Sequence, residues 1–136
     1  MSDPGYLLGV FLHLARASQQ RNRPHVTDRL LTMAAATASE MGLQPVADYC
    51  RSLVLAHNPH HMLRRWPTVR AALAQEPFQG LLKQLRRRYP MERAEQLLES
   101  LDLQLGHERD TYFSDYEYAA ALLGTTPAQL DRQFPE

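Results

Sequence analysis

Apolar residues recur at helical spacing along almost the whole chain, and proline or glycine punctuates each stretch. Tyr6, Leu7, Val10, Phe11 and Leu14 repeat at helical intervals, with Leu8 and Leu12 widening the stripe. This predicts a mostly buried first helix over about residues 5–20. Arg21-Asn22-Arg23-Pro24 breaks it. A second helix to about Met41 puts Val26, Leu30, Met33, Ala34, Thr37 and Met41 on one face, with Gly42 where a C-terminal cap belongs. Pro45 opens a third helix, with Val46, Tyr49, Cys50 and Leu53 inward, that stops before Asn58-Pro59. Asn58 as an N-cap and Pro59 at the first helical position predict a short helical turn, His60 to Trp66. Pro67 then falls in the first turn of a helix ending near Gln75.

The cleanest stripe is Phe78, Leu81, Leu82, Leu85 and Tyr89, ended by Pro90. Ala94, Leu97, Leu98, Leu101 and Leu105 mark a helix from Glu92 to Gln104, closed by Gly106. Tyr112, Phe113, Tyr116, Ala120 and Leu123 mark another, stopped by Gly124. Thr126-Pro127 starts a last one, with Leu130 and Phe134 inward. No alternating run bounded by turn signals predicts a strand. The expected fold is all-α: a compact bundle of seven or eight short helices, one domain spanning residues 1–136.

A chain of 136 residues with 44% apolar content can bury a proper core. Cys50 is the only cysteine, so neither an intramolecular disulfide nor a cysteine-pair metal site is expected. The longest apolar run, Tyr6 to Ala15, is too short to span a bilayer, and Asp3 stands where a signal peptide carries basic charge. A cytoplasmic protein with no membrane association is expected. A phosphate-cradling glycine loop, a nucleophile elbow and a His-Glu-x-x-His pair are all absent, so nothing argues for an enzyme or a cofactor. Glu92, Glu95 and Glu99 share one helix face and read as a solvated surface, not an acid–base pair.

Charge changes the picture because its overall neutrality is made of opposites. Residues 51–93 carry nine basic side chains against two acidic ones, and residues 94–136 the reverse, giving +7 and −7. One account sets the two segments side by side, compensating each other at the surface. The other gives the basic helix a partner. Lys83, Arg86, Arg87 and Arg88, on the side opposite Leu82 and Leu85, together with Arg64, Arg65 and Trp66, suit an acidic protein surface or a second copy of the chain. Nucleic acid is the alternative partner, met through the basic helix over 77–89 and a helix-turn-helix-like corner over 120–134.

The stretch His57-Asn58-Pro59-His60-His61 holds half of the histidines. With Pro59 opening a helix, His57, His60 and His61 surround free backbone amides and form a candidate anion site. Adjacent histidines diverge by about 100° on a helix, so a shared metal is not expected. Residues 120–134 resemble the centre of a helix-turn-helix motif: Ala120, then Gly124, then Leu130. Its second helix offers Gln129, Asp131, Arg132 and Gln133 in acidic surroundings, which reads as a structural corner.

Overall fold

The computed structural model describes residues 3–101 and 108–135. The fold is an all-α bundle: α1 (Pro4–Gln20), α2 (Pro24–Glu40), α3 (Gln44–His57), α4 (Val69–Leu73), α5 (Glu76–Arg88), α6 (Met91–Ser100), α7 (Asp115–Leu122) and α8 (Pro127–Gln133). Short 3-10 turns lie at Met62–Arg65 and Arg109–Thr111, and no strand occurs among the described residues. Proline occupies the first turn of α1, α2, α3, α5 and α8, where its missing N–H costs no hydrogen bond. Side-chain caps fix the starts of α4 and α7 and add to the proline at α8: Thr68 accepts from Ala71 N (3.0 Å), Ser114 from Glu117 N (3.1 Å) and Thr126 from Gln129 N (3.2 Å).

The three long N-terminal helices fold back on one another with α2 in the middle, packed along both α1 and α3. Every residue from Leu30 to Ser39 is buried. The sequence pattern predicts a single apolar face on α2, whereas the stretch from Leu30 to Ser39 is buried on every face; toward the helix start Val26 and Arg29 are half-buried and His25 is exposed, and Met41 at the other end is half-buried. Enclosure is achieved with small residues: Ala34, Ala35, Ala36 and Ala38 let neighbours approach closely. The polar side chains on this helix bond locally, Thr32 Oγ1 donating to Asp28 O (2.7 Å) and Thr37 Oγ1 to Met33 O (2.9 Å). Helices α4 and α5 pack against α2, α6 and α7 against α1, and α8 against α3 and α7. A Cβ on Gly9 would lie 2.9 Å from the Tyr118 ring, so α1 and α7 meet as closely as they do because position 9 is glycine.

Several expected boundaries shift. Asn58 ends α3, its N–H donating to Val54 O (2.8 Å), and its carbonyl accepts from His61 N (3.0 Å). Pro59 and His60 are therefore the middle of a turn, not the first turn of a helix. Pro67 precedes α4 because Thr68 takes the cap. Tyr112 and Phe113 lie before α7, since Ser114 caps it, and Phe113 is fully exposed. Helix α6 ends at Ser100; Gln104, Leu105 and Gly106 lie outside the described residues.

Candidate functional site: a basic helix face and a histidine corner

Phe78, Leu82 and Leu85 of α5 are buried toward α2 and α4, which leaves Lys83, Arg86, Arg87 and Arg88 exposed. Arg86 Nη2 reaches Glu40 Oε1 at the end of α2 (2.7 Å). Both side chains are about half exposed, so this pair orients more than it stabilises. Lys83, Arg87 and Arg88 make no ion pair among the described residues. The first account of the charge pattern sets the basic and acidic segments together, yet Arg86 finds its acid on α2, and Arg109 of the acidic segment bonds Asp115 (Nε–Oδ1, 2.7 Å) and Asp3.

Arg64 and Arg65 are exposed on the first 3-10 turn, and Arg64 Nη1 lies 3.4 Å from His60 Nδ1. Trp66 is half-buried, its ring edge-on to Phe78 at 6.2 Å. The turn is clamped by Arg51, whose Nε donates to Leu63 O (3.3 Å) and Nη2 to Trp66 O (2.7 Å). Phe78 is the third residue of α5, and Arg86–Arg88 follow about 12–15 Å further along the helix axis. The two arginine groups are thus linked through one helix but do not form one cluster.

The three histidines part company. His57 Nδ1 lies 3.3 Å from Asp28 Oδ1 and faces a cleft beside Tyr49 and Leu53. His60 is exposed. His61 is half-buried on the other side of the corner, where its Nδ1 accepts from Leu63 N (3.1 Å) and its Nε2 lies 3.5 Å from Thr32 Oγ1. An accepting Nδ1 places the neutral ring's proton on Nε2, and the Thr32 hydroxyl, already donating to Asp28 O, is oriented to receive it. The backbone N–H of His61 is consumed by the turn, so the free-amide anion site expected at a helix start does not exist in that form.

Burial holds the His61 imidazole below its ordinary 6.5, with the Asp28 carboxylate opposing. His13 is held down the same way, by burial and by Arg16, against Glu108 (Nε2–Oε1 3.4 Å). The unfolded chain takes up both protons near pH 6.5 while the folded chain takes them up lower, so the unfolded state binds more protons just below that pH. Stability is therefore expected to fall as pH drops below 6.5. Melting temperatures between pH 7 and pH 5 check this, and His61→Gln should flatten the slope.

The helix-turn-helix-like corner is built as its residues predict: Gly124 ends α7 at φ +77, Thr125 N donates to Ala120 O (2.9 Å), and Leu130 is buried. Its second helix is tied down, with Tyr116 Oη donating to Asp131 Oδ1 (2.6 Å) and Phe134 packing on Tyr49 at 5.9 Å. Sequence patterning overlooks His25, Asp28, Arg29 and Thr32, although they stand at i, i+3, i+4 and i+7, a polar stripe on α2. Among the described residues no three histidine, cysteine or acidic side chains gather as a metal site, and no helix is long and apolar enough to cross a membrane. No protein-family model, curated protein or solved structure matches the chain.

Proposed function

We propose that the protein is a non-catalytic interaction module of the cytoplasm that docks an acidic protein surface through α5. Lys83, Arg86, Arg87 and Arg88 supply the charge, and Arg64, Arg65 and the exposed part of Trp66 extend the contact from the other end of the helix. The observation that carries this reading is that Lys83, Arg87 and Arg88 are exposed with no acid of the described chain to neutralise them. Exposed cations of one sign raise encounter rates with an acidic partner and lose that advantage in salt. The −7 segment of a second copy has the complementary chemistry.

Sedimentation velocity of the protein alone tests it. Self-association at low salt that disappears near 0.5 M salt, and disappears in the triple variant Arg86→Gln/Arg87→Gln/Arg88→Gln, is the expected result. A monomer at every salt concentration overturns docking of a second copy. Tight, salt-steep binding of a labelled DNA duplex or single strand by the same variant-sensitive surface would replace the protein partner with nucleic acid.

A further inference from the structure

A cleft of about 350 Å³ opens between α2 and α5, and it goes beyond surface docking. Helix α2 presents His25, Asp28, Arg29 and Thr32 to it, and α5 presents Leu81, Gln84, Leu85 and Arg88. Each set has the spacing i, i+3, i+4, i+7, so two facing helix stripes form the walls. Asn58 and His61 of the Asn-Pro turn close one end. We propose that this cleft binds a phosphate monoester of a small organic molecule.

The charges favour an anion. Arg29 and Arg88 line the cleft from opposite helices, and neither makes an ion pair among the described residues. The one carboxylate present, Asp28, is nearly buried and engaged by His57. The lining therefore carries net positive charge at neutral pH, joined by the donors of Asn58 and Gln84 and the imidazole of His25. A guanidinium presents its N–H groups in a planar fork that matches phosphate oxygens, and two forks from facing walls can hold one phosphoryl group between them. The size favours an ester over the bare ion: the cleft falls within the range of small-molecule sites, and Leu81 and Leu85 give the organic part an apolar floor.

Calorimetric titration of the full chain with phenyl phosphate, inorganic phosphate and phenol, at constant ionic strength, tests the assignment. Saturable one-to-one binding of phenyl phosphate is expected, about tenfold or more tighter than of either fragment. Arg29→Gln and Arg88→Gln should each weaken it at least about tenfold. No saturation by ~10 mM overturns the site, as does undiminished binding to both variants. Phenol binding as well as phenyl phosphate would reduce it to an apolar groove, and phosphate binding as well as the ester would overturn the ester. Arg88 also belongs to the basic face, so Arg29→Gln separates the two readings: it should lose the ester and keep salt-sensitive association. If Arg88→Gln fails to fold, judged by its melting curve, Arg29→Gln decides; if Arg29→Gln fails to fold, Arg29→Ala takes its place.

Discussion

Phe78→Ala is expected to lower the stability of the folded chain by about 3–5 kcal/mol. The ring is fully buried at the start of α5 and meets the edge of Trp66 at 6.2 Å and 62°. Truncation removes the apolar transfer free energy of the ring, leaves a void between helices, and forfeits an aromatic pair worth about 0.5–1.5 kcal/mol beyond its area. The void has little means of closing. Helix α5 is held by α2 and α4, and the 3-10 turn carrying Trp66 is held by Arg51. For a domain of this size the loss corresponds to a melting temperature lower by roughly 10–20 °C, read by circular dichroism. Phe78→Leu keeps most of the volume and should lose clearly less. A loss under about 1 kcal/mol would mean that α5 is not seated by Phe78, and the placement of its basic face would lose its foundation.

The same residue shows what was legible in the sequence. The apolar spacing of α5 predicts Phe78, Leu81, Leu82, Leu85 and Tyr89 as core; four are buried and Leu81 is half-buried at the cleft, because a helix with one apolar stripe and a cationic remainder has only one face to bury. Helix α2 is different: its alanines carry little hydrophobicity, and only neighbours on several sides reveal that Ala35, Ala36 and Ala38 are interior. The Asn58-Pro59 pair signals a corner equally well as a helix start or a turn. The choice is made by His61, whose imidazole caps the following 3-10 turn, and histidine is not a common cap. Phe113 illustrates the converse, an aromatic at helical spacing from Tyr116 that Ser114 leaves outside the helix.

The candidate sites divide along the same line. A run such as Arg86-Arg87-Arg88 is visible because charge density is a property of the sequence, and its exposure follows from the apolar stripe opposite. The α2–α5 cleft is hidden because it needs two stripes separated by about fifty residues to face each other, and periodicity says nothing about which helices meet. The polar positions at 25, 28, 29 and 32 are the local signal: on a helix otherwise destined for the interior, a polar stripe marks the side on which something other than a packed helix is met.

Thiol reagents are expected to label Cys50 in the folded protein at least about a thousandfold more slowly than in the unfolded chain. The side chain is fully buried in α3, and burial pushes the thiol from its ordinary 9.0 up to about 12. A difference of three pH units leaves about a thousandfold less thiolate at neutral pH, and the thiolate is the attacking species. Burial adds a second barrier, since the reagent must reach sulfur through packed helices. Labelling should therefore wait for the structure to open, and its rate should report the population of open molecules. If the opening that frees Cys50 is global, Phe78→Ala raises the labelling rate by the factor its lost stability predicts, about a hundredfold or more. A rate unchanged by that substitution would place α3 in a unit that opens independently of α5. Labelling of the folded chain within about tenfold of the unfolded rate would overturn the buried, inert thiol altogether.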